Sequence, residues 1–316
     1  MKKKVVVLGG GTGMSSLLIG LKEFPLDITS VVSVCDDGKS TGRLREEFHI
    51  PAVGDIRKVI VSLSETDELV EKLLNYRFHT TSDLDGHTVG NLLLTAMANM
   101  TGNMSDGIAA LGKILNLKGK ILPLTEDNVT LCAKMSDGVI VEGEHNITES
   151  MKKISSVYYK ENPTVNEEVI RAIYEADAVI LSMGSIYTSI IPNLLIKDVI
   201  KALDKTKAPI IYTCNMMTQP GETDNLKVSE HIDIINKYLG KKKISVVVAN
   251  NGKISEDIVK RYETLEQKDV VKLDLDNLKG IKVIKNDYVS IENNLIRHDA
   301  TLLSIDLFKY LIKKQK

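Results

Sequence analysis

Short apolar runs and helical patterns alternate at the start of the chain. Val5–Leu8 is a run of aliphatic residues, and Ser15–Glu23 carries its leucines at helical spacing. Ile28–Val34 is the next run rich in β-branched residues. A strand, a glycine turn, a helix and a second strand within about 30 residues predict a βαβ unit. The right-handed crossover of such a unit makes its two strands parallel.

The same alternation returns in the second half of the chain. Ala178–Leu181, Pro209–Cys214 and Ile244–Ala249 are strand-like runs, and Ser229–Leu239 has helical spacing between the last two. The two halves together predict an α/β protein with a doubly wound, mostly parallel, Rossmann-like sheet.

The segments outside this alternation predict additions to the sheet. Residues 55–116 are rich in Leu, Met, Ala and Glu at helical spacing, and they predict a helical insertion. Residues 251–316 are expected to form a small C-terminal lobe. Because no repeat, low-complexity run or Pro/Ser linker interrupts the sequence, residues 1–316 are expected to form a single α/β domain.

Composition and charge narrow the classes of partner. Lys and Arg number 41 and Asp and Glu number 42, so the formal net charge is −1 and gives no electrostatic case for nucleic acid or a membrane surface. Three cysteines are too few and too scattered for a disulfide framework or a zinc site. The apolar run after Met1–Lys4 is too short for a signal peptide, and no run reaches the roughly 18 residues of a membrane span. We expect a cytoplasmic protein.

A glycine turn lies where the first predicted strand meets the first helix. Backbone N–H groups at a helix start have no intrahelical partner, and the helix dipole adds positive character, so an anion such as phosphate is favoured there. The candidate phosphate-binding residues are Gly10, Gly11, Thr12 and Gly13. Neither glycine register completes the dinucleotide fingerprint, because one ends at Met14 and the other at Ser16. A tight turn without a ligand remains the alternative.

An acidic and basic loop follows the second predicted strand. Asp36 and Asp37 are candidates for a divalent cation, with Mg²⁺ as the candidate cofactor, or for a sugar hydroxyl. Arg43 and Arg45 are candidates for phosphate, since a guanidinium suits that geometry. Gly38-Lys39-Ser40 is not a Walker A motif, because Ser33 stands where that motif needs glycine. A solvated charged turn is the alternative.

Other polar residues lie near the ends of predicted elements. Because parallel strands end at one edge of a sheet, their following loops predict a long cleft there. The further ligand-binding candidates are Asp55, Arg57, His87, Asn91, Gly184, Ser185, Thr188, Ser189 and Asn215. No residue is assigned a catalytic role, because no nucleophile–base pair can be certified from spacing.

Two candidates lie near the C-terminus. Tyr262 lies in a helical pattern and offers a flat face with a hydrogen-bonding tip. Arg297 precedes a helical run that begins at Asp299, where anions gather. In the alternative interpretation, Tyr262 packs in the core and Arg297 pairs with a surface carboxylate.

Several of these blocks carry a family resemblance. They are Gly9-Gly10-Gly11-Thr12-Gly13, Asp36-Asp37-Gly38, Gly42-Arg43-Leu44-Arg45, Gly54-Asp55-Ile56-Arg57, Tyr76-Arg77-Phe78, Gly86-His87-Thr88-Val89-Gly90-Asn91, Gly184-Ser185-Ile186-Tyr187-Thr188-Ser189 and the stretch from Asn215 to Thr223. In this order they resemble the gluconeogenesis factor family, a branch of a superfamily that also contains 2-phospho-L-lactate transferase.

The resemblance implies a doubly wound, cytosolic protein that binds UDP-sugars, UDP-N-acetylglucosamine in particular. It also implies a role in cell shape and wall synthesis during growth on gluconeogenic carbon, and it points to Tyr262 and Arg297 as nucleotide-sugar contacts. Lys39 departs from the family, which commonly has Asp-Asp-Gly-Gly-Ser-Ser-Gly at Asp36–Gly42. Ala300 stands where some members carry a threonine that can be phosphorylated, which puts that regulation in doubt.

Two other functions and the oligomeric state stay open. The main alternative is a metal-dependent phosphoryl-group transferase of the 2-phospho-L-lactate transferase type, for which Asp36 and Asp37 are the candidate metal ligands. A nicotinamide dehydrogenase rests only on the incomplete glycine fingerprint. A homo-oligomer is neither predicted nor excluded by the sequence.

Overall fold

The computed structural model describes residues 2–292 and 295–313. The strands, in chain order, are β1 (Lys3–Gly9), β2 (Leu26–Val32), β3 (Lys120–Pro123), β4 (Leu131–Met135), β5 (Ile140–Glu142), β6 (Ile154–Tyr159), β7 (Ala178–Leu181), β8 (Ile210–Thr213), β9 (Ile244–Asn250), β10 (Lys282–Asn286), β11 (Val289–Glu292) and β12 (Leu295–His298). The α-helices are α1 (Gly11–Leu21), α2 (Lys39–Phe48), α3 (Gly54–Leu63), α4 (Glu68–Asn75), α5 (Val89–Thr101), α6 (Met104–Ile114), α7 (Glu144–Ser150), α8 (Glu167–Glu175), α9 (Lys197–Lys205), α10 (Val228–Tyr238), α11 (Glu256–Glu266) and α12 (Ala300–Lys313).

The predicted doubly wound α/β sheet is confirmed. In the described part of the chain the main sheet has seven strands in the order β10-β9-β8-β7-β1-β2-β3. Every neighbouring pair in it is parallel. The central strands are buried aliphatic runs because helices cover both faces, and all four residues of β7 are buried. The edge strand β10 has no fully buried residue. Smaller antiparallel sheets, β5-β4-β6 and β11-β12, lie outside it.

The order of the strands locates a crevice. From β1 the strand order continues in one direction to β2 and β3. In the other direction β7 pairs directly with β1 and is followed by β8, β9 and β10. Helices that follow β1 and β7 diverge, so the carboxyl ends of these two strands form the topological switch point at which doubly wound proteins bind ligands.

Helix α1 begins earlier than its apolar pattern predicts. The leucines indicate a helix from Ser15, whereas the structure starts it at Gly11. The first turn contains glycine and threonine because it faces the crevice and not the core, so the apolar spacing does not extend to it. At its other end, α1 packs closely on α12, where a Cβ on Gly20 would lie 2.1 Å from the carbonyl oxygen of Ala300.

The insertion and the C-terminal segment are both tied to the main sheet. Helices α3 to α6 lie between β2 and β3, in the segment expected to be helical. Residues 251–316, predicted as a C-terminal lobe, contribute β10 to the edge of the main sheet, the β11–β12 hairpin, and α12 against α1. Residues 293–294 and 314–316 of that segment lie outside the described residues. In the part that the structure describes, no helix combines the length and apolar character needed to cross a bilayer.

Candidate functional site

Two adjoining cavities occupy the switch point between β1 and β7. The larger, 360 Å³, is lined by the first turn of α1, the loops after β7 and β8, and residues of α11 and β12; we call it the hairpin cavity. The smaller, 180 Å³, is lined by Gly11, Ser33, Asp36, Asp55, Lys58, Glu144, Thr148, Ser185, Thr188, Ser189 and Gln219; we call it the acidic cavity. Ser185 and Gln219 line both cavities.

The glycine turn lies between these cavities. Gly11 has φ +66° and lines the acidic cavity, and its backbone N–H forms a hydrogen bond that favours the charged form of Asp55. Thr12 and Gly13 line the hairpin cavity, and no side chain caps the start of α1. The turn therefore has one amide engaged by a protein carboxylate and presents its next two residues to the larger cavity.

Glycine is required at position 13 for a packing reason as well. A Cβ there would lie 2.1 Å from the carbonyl oxygen of Met183, so α1 and the loop after β7 approach more closely than a side chain permits. Asn215 holds the same loop from the other side. Its Oδ1 accepts from the N–H of Gly184 at 2.8 Å, and its Nδ2 donates to the Gly184 carbonyl at 2.6 Å. The loop after β7 is thus held in place by α1 on one side and by the side-chain amide of Asn215 on the other.

Tyr262 and Arg297 both line the hairpin cavity. The ring of Tyr262 is 5% exposed and packs with Met216 and Ile296, and its hydroxyl accepts a hydrogen bond from the Ile296 N–H at 2.8 Å. Arg297 is exposed on β12, two residues before the predicted helix start at Asp299, and α12 begins at Ala300. Within the described residues it has no carboxylate partner, and its guanidinium donates only to the Ile296 carbonyl, at 3.4 Å. Tyr262 thus packs as a core residue while lining the cavity, and Arg297 keeps its charge available.

His298 lies in the same wall; the sequence places it beside Arg297 at the predicted helix start, but it was not among the ligand-binding candidates. Its Nε2 lies 3.2 Å from the carbonyl oxygen of Cys214. Burial lowers the pKa of His298 to about 4, so the imidazole is neutral at pH 7 and the Nε2–H donates to that carbonyl. The contact joins the hairpin to the end of β8.

The acidic cavity collects carboxylates from three distant parts of the chain. Asp36 follows β2, Asp55 lies in the first turn of α3, and Glu144 begins α7. Burial raises the pKa of Asp55, although Lys58, whose Nζ lies 3.0 Å from Asp55 Oδ1, opposes that shift. The pKa of Glu144 is raised to about 7, first by burial and then by Asp36, while a hydrogen bond from Thr188 acts in the opposite direction. The cavity therefore concentrates negative charge around one ammonium group.

A buried glutamate supports the wall between the cavities. Ser185 Oγ donates to the carboxylate of Glu222 at 2.7 Å and accepts from the N–H of Thr188 at 2.9 Å. These residues start a π-helical turn, Ile186–Ile190, a local geometry that is frequent at functional sites. Burial raises the pKa of Glu222 to about 7, and the Ser185 hydrogen bond opposes that shift.

Asp36 and Asp37, predicted as a pair of cation ligands, point to different places. Asp36 accepts from the Gly38 N–H and from Thr41 Oγ1 in the turn that starts α2, and it lines the acidic cavity. Asp37 accepts from the His145 N–H at 2.8 Å and lines a separate cavity. Asp36 is thus held in the turn before α2, whereas Asp37 binds the start of α7, and this separates the pair. In the described residues, no group of three or more His, Cys, Asp or Glu is arranged to hold a metal ion.

The predicted arginines and the His87 segment lie outside both cavities. Arg45 is buried, donates to Asn128 and to the backbone carbonyls of Asp36 and Val129, and holds the loop after β2. Arg43 is exposed and reaches the Asp85 carbonyl at 3.4 Å. Arg45 therefore has a structural role, and Arg43 lies at the surface.

A buried polar chain links the remaining three candidates. Arg57 Nε donates to Asn91 Oδ1 at 3.1 Å, and Asn91 Nδ2 donates to Ser40 Oγ at 3.1 Å. Ser40 Oγ in turn lies 3.0 Å from His87 Nδ1. The chain connects α3, α5 and α2, and none of its members lines the hairpin or acidic cavity.

Several residues of the cleft were not among the individual candidates from the sequence. They include Ser33, Lys58, Glu144, Gln219 and Glu222, the last two within the stretch from Asn215 to Thr223. Lys58 follows Asp55 by three residues on α3, a spacing that favours an ion pair and gave a usable signal. Glu144 gave no such signal in the sequence, because α7 reaches the cleft through the antiparallel β5-β4-β6 sheet.

Comparison with known proteins identifies the family. The family model described as 2-phospho-L-lactate transferase CofD matches residues 5–289. The gluconeogenesis factor of Bacillus subtilis is 43% identical over 315 residues, covering 98% of this chain and 99% of that protein. The gluconeogenesis factor of Listeria monocytogenes is 38% identical over 300 residues, covering 95% and 92%.

A solved structure agrees with these relatives. A crystal structure of a protein from Bacillus halodurans matches with a TM-score of 0.94 and 40% identity, covering 98% of this chain and 100% of that chain. Fold, strand-end chemistry and near-full-length similarity therefore agree, and the chain belongs to the gluconeogenesis factor family, within the wider 2-phospho-L-lactate transferase CofD family.

Proposed function

We propose that this protein is a cytoplasmic regulator that binds a nucleotide-sugar of the UDP-N-acetylglucosamine type. The observation that carries the proposal is the pair of adjoining cavities at the switch point, one beside a helix N-terminus and an available arginine, the other acidic. A nucleotide-sugar has the same division, because a diphosphate joins a nucleoside to an uncharged ring.

The hairpin cavity supplies groups for the nucleoside diphosphate. Thr12 and Gly13 lie in the uncapped first turn of α1, where backbone N–H groups and the helix dipole favour phosphate. Arg297 adds a guanidinium whose donors match phosphate oxygens. Tyr262 and Met216 provide an apolar wall. The volume, 360 Å³, lies in the range of small-molecule sites, about 300–1,000 Å³.

The proposed biological role rests on the names of the similar proteins. Proteins of similar length and about 40% identity carry the name gluconeogenesis factor. We infer a regulatory role during growth on gluconeogenic carbon, with cell shape and wall synthesis as the affected process. A bound nucleotide-sugar would report the supply of wall precursor to such a regulator.

One observation favours a second candidate, a Mg²⁺-dependent phosphoryl transferase. Asp36 and Asp55 line one cavity beside the glycine turn, and Mg²⁺ is commonly held by one or two carboxylates together with substrate phosphates. In that case the two aspartates would hold the ion, which would neutralise charge on a transferring phosphoryl group.

Thermal unfolding in the presence of separate ligands distinguishes these functions. UDP-N-acetylglucosamine at 100 times its dissociation constant is expected to stabilise the protein by about 2.7 kcal/mol, without added Mg²⁺. NAD serves as the control dinucleotide and is expected to give no shift. Stabilisation by NAD alone would contradict the proposal, and release of a phosphorylated product only with Mg²⁺ would favour the transferase.

A further inference from the structure

We propose that the acidic cavity is the sugar subsite, that it selects an uncharged hexose ring, and that it rejects a sugar carrying a carboxylate. The inference rests on the proposed nucleotide-sugar function and adds the class of sugar to it. It concerns Ser33, Asp36, Asp55 and Glu144, whose shared cavity adjoins the hairpin cavity at Ser185 and Gln219.

Ser33 is the observation that points to a ligand. Its side chain is 2% exposed and lines the acidic cavity, and within the described residues no protein group forms a hydrogen bond with its Oγ. A hydroxyl that opens into a cavity without a protein partner can form a hydrogen bond with a ligand hydroxyl, and that bond adds affinity. Glycine at position 10 leaves this approach open, because a Cβ there would lie 2.8 Å from Ser33 Oγ.

Two further polar groups extend the same surface. Ser189 Oγ and the side-chain amide of Gln219 also have no hydrogen-bond partner in the part of the chain that the structure describes, and both residues line the cavity. Together with Ser33 they offer donors and acceptors around a volume of 180 Å³.

The charge of the cavity decides which sugar it accepts. Three carboxylates face one ammonium group, Lys58, which is already paired with Asp55 at 3.0 Å. Carboxylate oxygens accept hydrogen bonds from the hydroxyls of a neutral ring, whereas an added anion meets like charges at close range. Burial is the main reason that the pKa of Glu144 is raised, and the nearby charges of Asp36 and Asp55 add to that shift.

The test compares three ligands by isothermal titration calorimetry: UDP, UDP-glucose and UDP-glucuronate. Wild-type protein is expected to bind UDP-glucose more tightly than UDP, and to bind UDP-glucuronate at least about tenfold more weakly than UDP-glucose. Glu144→Gln removes one carboxylate and is expected to reduce the difference in affinity between UDP-glucose and UDP-glucuronate. Equal or tighter binding of UDP-glucuronate by the wild type would overturn the inference.

Two serines on the same segment of chain give a matched pair of variants. Ser33→Ala removes the hydroxyl that faces the cavity and is expected to reduce the UDP-glucose to UDP affinity ratio by about two- to tenfold. Ser30→Ala removes a fully buried hydroxyl without a partner, which lies on β2 and does not line the cavity, and is expected to leave the ratio unchanged. The same change in both variants, or a sugar preference seen only with Mg²⁺, would contradict the sugar subsite.

The outcomes also separate this inference from the proposed function. Binding of UDP with no preference among the three ligands overturns the sugar subsite and leaves nucleotide binding intact. Failure of all three ligands to bind overturns both.

Discussion

The phenolic oxygen of Tyr262 accepts a hydrogen bond from the backbone N–H of Ile296 at 2.8 Å, which fastens α11 to the β11–β12 hairpin beside Arg297. The tyrosine therefore orders the wall of the hairpin cavity as well as lining it. Arg297, one residue further along β12, carries the charge that the wall presents. The two residues have different roles, and substitutions can separate them.

Tyr262→Phe tests the fastening role. Loss of the hydroxyl leaves the Ile296 N–H without its partner, and we expect the free energy of unfolding to fall by about 1 kcal/mol. Affinity for UDP should fall as well, because the hairpin is held less firmly. Urea denaturation and calorimetric titration measure the two effects. Unchanged stability would show that water replaces the phenol without cost.

Arg297→Ala tests the charge. We expect affinity for UDP to fall by roughly 1.5–3 kcal/mol, the range for a hydrogen bond to a charged group, with little change in stability because the side chain is exposed. Arg171→Ala, an exposed arginine on α8, is the control and should bind like the wild type. Equal affinities in all three proteins would remove Arg297 from the binding site.

Thr12→Glu tests the anion site at the start of α1. A carboxylate in the first helical turn interacts favourably with the dipole, so stability should be unchanged or higher by about 0.3–1 kcal/mol. The same carboxylate would compete with a phosphate beside Thr12 and Gly13, so UDP affinity should fall at least about tenfold. Thr12→Gln has nearly the same shape without the charge and should bind more tightly than the glutamate variant. Similar binding by both would place the diphosphate elsewhere.

Glu222→Gln tests the buried carboxylate behind Ser185. The folded-state pKa, about 7, lies above the ordinary value of 4.5, so the native state binds the proton more tightly. Protonated Glu222 therefore stabilises the folded state at low pH, and this stabilisation is lost as the pH rises through about 7. The free energy of unfolding is expected to fall by about 2 kcal/mol between pH 5.5 and 8 from this group alone. The glutamine variant should lose this part of the pH dependence of unfolding. A profile that matches the wild type would show that Glu222 does not titrate in this range.

The central strands of the sheet were predictable because they are buried on both faces. Ala178–Leu181 is a continuous aliphatic run, and its predicted and observed bounds agree. The start of α1 could not be predicted in this way, since Gly11 and Thr12 face a cleft and lack the apolar spacing of the rest of the helix. Local patterns thus identify elements that bury apolar surface and miss residues that face a cleft.

The candidate site was predictable only where strand ends supplied it. Thr12, Ser185 and Asn215 follow strands that meet at one edge, so their proximity follows from parallel topology. The neighbours Asp36 and Asp37 gave no sign that they would point to different places. Asp36 is held by a local turn, but Asp37 accepts from the distant His145 N–H, a contact that depends on tertiary packing and that no local spacing encodes.

A crystal structure of the protein with bound UDP-N-acetylglucosamine tests the central claim most directly. We predict phosphate oxygens within hydrogen-bond distance of the Thr12 and Gly13 backbone amides and of the Arg297 guanidinium, with the sugar ring in the acidic cavity against Ser33. A nucleotide-sugar bound outside both cavities, or with its sugar ring in solvent and the acidic cavity filled only by water, would contradict the account.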